Sequence, residues 1–543
     1  MHINQDNNSV HNGIPHTVLT TPQLVFAAAK AYSDLPAIED DGVFISYGQL
    51  PAEALAVCRA LIAQGVKPGD RVGLWAPNSG RWVLAALGLQ MAGAVLVPLN
   101  TRMKPLEAAD VLERSGCSLL FTVGDFLGND YPAQLAEVCP NCVKQMVLMT
   151  PREAEPRVDN LSWDAFIDSG TQVSEAIAME IAMNVNADDM ADLMFTSGTT
   201  GKPKGVMSSH SSCLRAFSQF VKILGVVPGD RYLVVNPFFH AFGYKAGWVS
   251  CLLSGACILP QAVFDADEVL NRIARDKITV LPGPPTLYLS LLAHPKLTQT
   301  DLSSLRIAVT GAATIPPILI ERMREELGFS VVTTAYGLTE CGGLATICHP
   351  HDDVSTIAAT SGCAIAGTDI SVQSQQGQML AANTPGEICL RGFHVMQGYF
   401  QNPDATAEAV DSDGWLHTGD IGTIDERGYL TITGRLKDMF IVGGFNCYPA
   451  EIEAVLIEHN AIAQCAVIGV NDERMGEVGC AYIVRIPEQT IDDAELISWC
   501  RTRMANYKVP RYVRFIDHMP VNASNKIIKA QLSEHFSAQM DVV

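Results

Sequence analysis

A loop rich in glycine, hydroxyl and lysine residues spans positions 196–205, which read Thr-Ser-Gly-Thr-Thr-Gly-Lys-Pro-Lys-Gly. The apolar run 193–195 before it is typical of a strand. Glycines let the backbone approach an anion closely, and amides, hydroxyls and lysines supply donors and charge. The segment therefore predicts a phosphate-binding loop. Its candidate ligands are Thr196, Ser197, Gly198, Thr199, Thr200, Gly201, Lys202, Pro203 and Lys204. It is not a Walker A loop, because no Ser or Thr follows the first lysine.

Two later motifs supply groups that a phosphate loop lacks. Residues 336–340 read Tyr-Gly-Leu-Thr-Glu: Tyr336 offers an aromatic face for a purine, Thr339 a hydroxyl for a phosphate, and Glu340 a carboxylate. Mg²⁺ prefers one or two carboxylates together with phosphate oxygens. The second motif, Thr-Gly-Asp at 418–420, places Asp420 in a turn where it could accept from two ribose hydroxyls. These motifs predict a nucleotide site, with Gly337 as part of it.

Basic residues beside glycine turns follow further along the chain. Arg435 lies in Gly-Arg-Leu-Lys-Asp at 434–438, a second turn contains Gly443 and Gly444, and Lys526 lies in a loop after Pro520. Each feature alone has an ordinary reading as a turn, a helix start or a solvated lysine. Five such elements in this order are hard to explain as coincidence.

Together the motifs resemble the adenylate-forming superfamily, which includes acyl-CoA synthetases, luciferases and the adenylation domains of peptide synthetases. The resemblance runs roughly from Thr20 to Leu532. It implies an α/β fold with a large N-terminal AMP-binding domain, 1–436, of layered parallel α/β sheets. A β-rich subdomain at about 365–436 and a small mobile α+β C-terminal domain, 437–543, complete it.

The resemblance also implies roles for individual residues, with ATP, Mg²⁺ and coenzyme A as ligands. Lys526 matches the adenylation lysine, although Asn525 stands where glycine is usual. Thr196 and Glu340 are the candidate magnesium ligands. Asp420 and Arg435 are assigned to the ribose, and Tyr336 to the adenine face. The purine edge is assigned to Gly311, Ala312 and Ala313.

The same resemblance implies a C-terminal domain that swings about Lys437, with the Gly443–Gly444 loop facing the adenylate and a pantetheine channel. His240 is expected near the substrate carboxylate. Lys526, His240, Glu340 and Thr196 are thus the predicted catalytic residues.

The substrate acid is expected to lack an α-ammonium group, because the segment 236–243, Asn-Pro-Phe-Phe-His-Ala-Phe-Gly, contains no aspartate to pair with one. The segment 282–288 is expected to form an opposing apolar wall. Tyr244 and Lys245 are expected to face elsewhere. Within the superfamily the chain looks most like bacterial CoA ligases of steroid ring degradation, which implies a bicyclic indane-propanoate as substrate.

Three alternatives stay open on the sequence alone. The first is a medium-chain or arylpropanoate CoA ligase with the same mechanism, and the second is an acyl-AMP ligase that loads a carrier protein. The third, a non-catalytic nucleotide-binding protein, is disfavoured because Glu340, Asp420, Arg435 and Lys526 are all present.

Composition agrees with a large globular enzyme that binds a small-molecule acid. The 543 residues exceed one core, and 48% hydrophobic with 17% charged residues indicates a packed body. A net charge of −21 argues against nucleic-acid binding, which relies on Lys and Arg. The sequence leaves the oligomeric state undetermined, and a homodimer is compatible with it.

The 15 cysteines are scattered and predict reduced thiols rather than a disulfide scaffold. Neither Cys139 with Cys142 nor the 348–353 segment is expected to bind a metal, since no partner cluster completes either. The polar N-terminus does not read as a secretory signal. The apolar run 82–99 is interrupted by Gly and Pro and predicts a buried helix followed by a strand. A cytoplasmic protein without membrane insertion is expected.

Apolar runs that alternate with amphipathic stretches predict parallel α/β layers, with ligands at the carboxyl ends of the strands. After about residue 365, short alternating runs predict a small antiparallel unit. The predicted strands are 72–75, 95–97, 118–121, 232–235, 280–281 and 307–309. In the C-terminal segment the predicted elements are helices 449–459 and 492–504 and strands 463–470 and 478–485.

Overall fold

The computed structural model describes residues 13–540 except 16, 140–142, 151–159, 197–202, 312–314, 375, 443–444, 473, 488 and 522–526. The phosphate loop 197–202, Ala312, Ala313, Gly443, Gly444 and Lys526 therefore lie outside the described residues. The side chain of Lys437 also lies outside them, although its backbone is described.

The largest sheet among the described residues has eight strands and is mainly parallel, as the alternation of apolar runs predicts. Its strands lie in the order Gly398–Tyr399, Lys204–Ser209, Met190–Thr196, Val95–Pro98, Arg71–Trp75, Leu119–Thr122, Gln145–Leu148 and Asn160–Ser162. Pairing is antiparallel only in the first two steps of that order. The strands Met190–Thr196 and Lys204–Ser209 form a hairpin, here called the loop hairpin. It holds both ends of the phosphate loop side by side at the end of this strand pair.

Two further sheets share a hydrophobic core with this layer and are linked through Val280, which bridges Tyr232 and Ile307 in parallel. Val280 forms isolated bridges rather than the strand expected at 280–281. One sheet has the order Arg231–Val234, Cys257–Pro260, Pro36–Asp40 and Val43–Ser46. The other has the order Ile307–Thr310, Val331–Tyr336, Thr346–Ile347 and Cys363–Ala364. Strands Arg231–Val234, Ile307–Thr310 and Val331–Tyr336 run directly into predicted site segments.

An antiparallel sheet follows, as expected for the segment after residue 365. Its strands lie in the order Thr368–Gln373, Gly386–Gly392, Leu416–Ile424 and Leu430–Arg435. Irregular register occurs on both sides of Leu416–Ile424, near its Thr-Gly-Asp turn. The last strand ends at Arg435, which is followed by the one-turn 3₁₀ helix Leu436–Asp438. A short hairpin pairs Asp125–Phe126 with Asn129–Asp130.

Residues after 438 fold around their own hydrophobic core, whose buried members all lie between Phe440 and Phe536. The sheet order is Phe445–Cys447, Phe440–Val442, Gly476–Arg485 and Ile462–Asp472, with Tyr512–Phe515 parallel to Gly476–Arg485. The helices there are Pro449–Leu456, Asp493–Arg501 and Lys529–Met540. The first two end a few residues earlier than the sequence predicts, and both strands run longer.

Local sequence explains the helices that cover the sheets. Ser79 caps Gly80–Met91 by accepting from the amide of Trp82, and nearly every residue of this helix is buried. The run 82–99 is therefore a buried helix followed by strand Val95–Pro98, as predicted. The described chain holds no helix that could span a bilayer.

The remaining helices range from a single turn to the 15 residues of His210–Leu224. The α-helices are Thr21–Tyr32, Leu50–Ala63, Pro105–Ser115, Tyr131–Val138, Trp163–Ser169, Glu175–Met183, His210–Leu224, Ala241–Gly243, Ser250–Ser254, Ala266–Asp276, Pro285–Leu292, Pro317–Glu325, Val354–Ala359 and Pro403–Ala409. One-turn 3₁₀ helices lie at Gly170–Gln172, Leu297–Gln299 and Thr339–Cys341, and a π-helix spans Tyr244–Val249.

Candidate active site

Three predicted nucleotide residues, Tyr336, Asp420 and Arg435, meet with Thr418 in one group, here called the Asp420 corner. The hydroxyl of Tyr336 donates to Asp420 Oδ2 at 2.6 Å, and Arg435 Nε lies 3.3 Å from Oδ1. Asp420 and Arg435 are cross-strand partners, and Tyr336 ends its strand. Burial, together with the charge of Asp420, raises the pKa of Tyr336 well above its usual value, so its hydroxyl remains a donor.

The turn that carries Asp420 is held by its own hydroxyl and by a carboxylate from the neighbouring strand. Thr418 Oγ1 donates to the carbonyl of Ile388 at 2.7 Å and accepts from the amide of Asp420 at 3.1 Å. Glu387 Oε1 accepts from the amide of Gly419 at 3.0 Å. Gly419 has a φ of +68°, which glycine tolerates best. These bonds fix the direction of the Asp420 carboxylate.

Glu387 also contacts His417, whose Nδ1 lies 3.0 Å from Oε2, while His417 Nε2 faces Asp411 at 3.5 Å. Burial acts to lower the pKa of His417, but hydrogen bonds and charge from Glu387 and Asp411 raise it overall. Donor atoms of Glu387, Cys389 and His417 lie within 4.8 Å of one another. Because both imidazole nitrogens already face carboxylates, the group is explained as an ion-paired histidine. Glu387 and His417 were missed by sequence reasoning.

The phosphate loop is anchored by paired strands at its two described ends. Phe195 and Thr196 pair with Gly205 and Lys204, and Thr196 Oγ1 donates to the carbonyl of Lys204 at 3.4 Å. The loop hairpin thus sets where residues 197–202 start and end. Pro203 follows them directly.

Glu340 lies in the 3₁₀ turn Thr339–Cys341, beside the loop hairpin. Its carbonyl accepts from the amide of Met396 at 2.8 Å, and its Oε1 accepts from the Tyr399 hydroxyl at 3.0 Å. Gly337 packs against the backbone of Gly343, where a side chain would come within 2.4 Å. The tight backbone therefore fixes the path between Tyr336 and Glu340.

A divalent cation with a preference for oxygen ligands fits this position. Glu340 is partly exposed, Tyr399 takes one of its carboxylate oxygens, and no hydrogen bond from another described residue engages Oε2. A carboxylate next to a phosphate-binding loop is the donor type that Mg²⁺ uses. The second predicted ligand, Thr196, lies at the described start of the loop with its hydroxyl on Lys204.

The segment 236–248, here called the aromatic segment, is held mainly through its backbone. Asn78 Nδ2 donates to the carbonyls of Val234 and Asn236 at 3.1 and 2.9 Å, and Asn78 Oδ1 accepts from the amide of Phe238 at 2.7 Å. His240 precedes the short helix Ala241–Gly243, and its Nδ1 accepts from the amide of Phe242 at 3.2 Å. This bond leaves Nε2 of His240 to carry the proton in the neutral ring.

Tyr244 and Lys245 are buried in the interior. Lys245 Nζ lies 3.2 Å from Asp192 Oδ2 and 3.1 Å from Ser208 Oγ, and both charged side chains are completely buried. Gln90 Nε2 donates to the Tyr244 hydroxyl at 2.8 Å. Burial raises the pKa of Asp192, and the charge of Lys245 opposes that shift. The ion pair joins the π-helix Tyr244–Val249 to both strands of the loop hairpin.

The opposing wall begins where Asn236 Nδ2 donates to the carbonyl of Pro282 at 3.2 Å. Tyr288 is fully buried, and its hydroxyl donates to the carbonyls of Leu281 and Val309 at 2.7 and 3.2 Å. Tyr288 is therefore structural, and Gly283 packs so closely against Leu287 that a side-chain carbon there would come within 2.7 Å of it. Gly311 follows strand Ile307–Thr310 and approaches the carbonyl of Ala335.

Asn78, Asp192 and Tyr399 also hold the site together and were not predicted from the sequence. Asn78 lies in Ala-Pro-Asn-Ser, which reads as a plain helix cap, and Asp192 is an isolated acid in an apolar strand. Only the Gly-Tyr dipeptide at 398–399 after a turn offered a signal, and a weak one. Glu340 lies 59 positions from Tyr399, and Phe238 lies 160 positions from Asn78, distances that local patterns do not reveal.

Comparison with known proteins agrees with this arrangement. The AMP-binding enzyme family matches residues 25–400, and the AMP-binding enzyme C-terminal domain matches 451–526. The chain belongs to the AMP-binding enzyme family. It is an acid–thiol ligase that forms acyl-CoA through an acyl-adenylate, with ATP and coenzyme A as substrates.

Among its relatives is the methyl-dioxo-octahydro-indenyl-propanoyl:CoA ligase of Rhodococcus jostii (strain RHA1), 46% identical over 95% of this chain and 98% of that protein. The ligase of the same name from Mycobacterium tuberculosis (strain ATCC 25618 / H37Rv) is 49% identical over 88% and 90%. Anthranilate CoA ligase AuaEII, solved with anthranoyl-AMP, has a TM-score of 0.85 at 26% identity, covering 96% of this chain and 98% of its own.

Proposed function

We propose that the enzyme activates a bicyclic indane-propanoate, the acid in the shared name of its relatives from Rhodococcus jostii and Mycobacterium tuberculosis. The supporting observation is the identity of 46–49% over most of both chains. Relatives named medium-chain acyl-CoA ligase and feruloyl-CoA synthase reach 32% and 34%. The aromatic segment and the 282–288 wall offer an apolar surface without an acid at 236–243, which suits a neutral polycyclic body.

The reaction we assign has two half-reactions. A carboxylate oxygen attacks the α-phosphorus of ATP, the bond to pyrophosphate breaks, and an acyl-adenylate forms. The thiolate of coenzyme A then attacks the acyl carbon and releases AMP. The protein's work is to position the groups and to stabilise charge.

Within this proposal the Asp420 corner binds the ribose: Asp420 accepts from its hydroxyls, Arg435 holds that carboxylate, and Tyr336 presents its ring to the purine beside Gly311, Ala312 and Ala313. Glu340 and Thr196 would hold Mg²⁺, which when bound offsets the negative charge of the triphosphate. The phosphate loop cradles the same phosphates.

His240 orients the substrate carboxylate, and Lys526 bridges that carboxylate and the α-phosphate. We propose the domain boundary at Lys437, where the 3₁₀ turn Leu436–Asp438 separates the antiparallel sheet from the C-terminal core. Rotation there would exchange Lys526 for the Gly443–Gly444 loop at the adenylate. The described cysteines are all free, which together with use of ATP and coenzyme A supports a cytoplasmic location.

The substrate assignment is tested by incubating the enzyme with ATP, Mg²⁺, coenzyme A and a panel of acids, and by measuring acyl-CoA masses. The panel holds the indane-propanoate, octanoate, palmitate and phenylpropanoate. Selective turnover of the bicyclic acid is expected. Preference for straight-chain acids would contradict the substrate but keep the mechanism, and an adenylate without CoA ester would indicate a carrier-protein acceptor.

The catalytic assignment is tested with Lys526→Ala, which should lower adenylation about 10²–10³-fold while ATP still binds. Lys529→Ala is the matched control, because Lys529 lies three residues away and pairs with Glu453 at 2.8 Å. Unchanged adenylation in Lys526→Ala would exclude the assigned role. Lys437→Pro should block the thiolation half-reaction more than adenylation if the domain swings there.

A further inference from the structure

Tyr399 contacts two functional elements at once. It ends the short strand Gly398–Tyr399, which pairs with the loop hairpin through Val206, and the next residue, Phe400, donates its amide to the carbonyl of Gly205 at 2.7 Å. The side chain is only 8% exposed. Tyr399 is therefore a buried, backbone-anchored residue rather than a mobile surface tyrosine.

The hydroxyl of Tyr399 points at Glu340 and its ring lies under Lys204. The oxygen is 3.0 Å from Glu340 Oε1, and the Lys204 ammonium is 4.8 Å from the ring centroid. Lys204 is the first residue of the strand that follows the phosphate loop. An ammonium within about 6 Å of an aromatic face is attracted to it. One side chain thus links the candidate metal ligand to a phosphate-loop lysine.

The hydroxyl can act only as a donor toward the carboxylate. A phenol carries its proton at neutral pH, whereas a carboxylate can only accept, so the 3.0 Å contact is a hydrogen bond from the Tyr399 hydroxyl to Glu340 Oε1. This bond fixes one carboxylate oxygen. The backbone of Glu340 is fixed as well, because its carbonyl accepts from Met396. The remaining oxygen, Oε2, is held in one orientation.

We propose that Tyr399 is a positioning residue that orients Glu340 for Mg²⁺ and keeps Lys204 aligned with the phosphates. The inference rests on the proposed metal role of Glu340. Partners that hydrogen-bond a metal-ligating carboxylate typically change metal affinity 10–100-fold when removed. Tyr399→Phe removes the hydroxyl and retains the ring beneath Lys204.

The test measures Mn²⁺ binding by electron paramagnetic resonance in the complex with α,β-methylene ATP, which cannot release pyrophosphate and so cannot transfer its adenylyl group to the acid. Tyr399→Phe should raise the Mn²⁺ dissociation constant about tenfold or more, and should raise the half-saturating Mg²⁺ in pyrophosphate exchange by a similar factor. The maximal rate should recover at high Mg²⁺. Tyr399→Leu should additionally raise KM for ATP, because it also removes the ring under Lys204.

Tyr429→Phe is the matched control. Its hydroxyl donates to Asp352 at 2.7 Å in a tyrosine–carboxylate bond that contacts neither Glu340 nor the loop hairpin. That variant should leave the Mn²⁺ dissociation constant unchanged. An unchanged constant in Tyr399→Phe, with Glu340→Gln strongly affected, would overturn the role of Tyr399 alone. If Glu340→Gln also binds Mn²⁺ normally, the proposed metal role of Glu340 fails, and the inference fails with it.

Discussion

The Asp420 corner and the aromatic segment are built in different ways. In the corner, side chains from three separate strands bond directly to one another, and Arg435 remains partly exposed. In the aromatic segment, carbonyls and amides are held by Asn78, and its last turns rest on the buried Lys245–Asp192 pair. The corner depends on residue type, whereas the segment depends on backbone path.

This difference bears on what can vary. A corner made of functional side chains loses its function when one of them changes. The aromatic segment, which is fixed through its backbone, can exchange its surface side chains and keep its position. This suits a family whose relatives carry different acids in their names. If the contrast holds, substitutions in the two regions should affect different measured quantities.

The largest effect is expected from the buried ion pair under the aromatic segment. Lys245→Met leaves Asp192 as an uncompensated buried carboxylate, which should lower the free energy of unfolding by about 3–5 kcal/mol. Denaturant unfolding measures this loss. Asp192→Leu combined with Lys245→Met should recover much of it, because no charge then remains buried.

The surface pair Lys277–Asp301 provides the control. Its nitrogen and oxygen lie 2.7 Å apart, but both side chains are at least half exposed. Lys277→Met should therefore change stability too little to resolve. Equal losses in Lys245→Met and Lys277→Met would show that the segment does not depend on the buried pair.

In the Asp420 corner, Asp420→Asn keeps the size of the side chain but removes the negative charge that pairs with Arg435 and accepts from Tyr336. We expect kcat/KM for ATP to fall about 100-fold, equivalent to about 2.7 kcal/mol, with KM for the acid little changed. Asp369→Asn, in an exposed pair with Arg391 on the same sheet, is the control. A comparable rise in KM for the acid would show that the two regions are not separable.

Gly243→Ala tests the backbone path of the aromatic segment. A side-chain carbon there would come within 2.2 Å of the carbonyl oxygens of Asn236 and Pro237, which cannot rotate away. We expect a stability loss of about 2 kcal/mol and weaker binding of the acid, with ATP affinity retained. Gly247→Ala meets a valine methyl group at 2.8 Å instead and should cost less. A larger loss of stability in Gly247→Ala than in Gly243→Ala would contradict the idea that the backbone fixes the aromatic segment.

The corner's residue types could be found from the sequence because glycine-flanked Asp, Arg and Tyr stand in strand-end motifs. Tyr336, Asp420 and Arg435 do meet, and the parallel layers and the antiparallel sheet after residue 365 are confirmed. The roles of Lys526, Lys437 and the loop 197–202 remain predictions, because the described contacts do not include those side chains.

The supporting residues could not be found in the same way. Glu387, Asn78, Asp192 and Tyr399 act through partners on other elements that are distant in sequence, and their own neighbourhoods look like ordinary strand or cap sequence. Local patterns report backbone conformation and exposure. They do not report which distant carbonyl or carboxylate a polar side chain will reach once the sheets are packed.

The smallest predicted effect concerns a histidine behind the loop hairpin. His210 is 2% exposed, and its Nδ1 accepts from Thr21, so the buried ring is neutral. Burial lowers the pKa of His210 to about 4, with the charge of Asp189 opposing that shift. Between pH 6.5 and about 4 the unfolded chain therefore binds this proton more readily than the folded chain does, and stability must fall as pH falls through that window.

At pH 5.5 the contribution of His210 should be about 1.4 kcal/mol lower than at pH 7.5. His210→Gln, which does not titrate there, should lose this part of the pH dependence, measured as the difference in unfolding free energy between the two pH values. His417→Gln should change the slope in the opposite sense, because the raised pKa of His417 stabilises the fold below that pKa and is lost as pH rises through it. If the unfolding free energy of wild type and of His210→Gln depended on pH in the same way, His210 would not be held neutral in the folded protein. Its contact with Thr21 would then be weaker than the structure indicates.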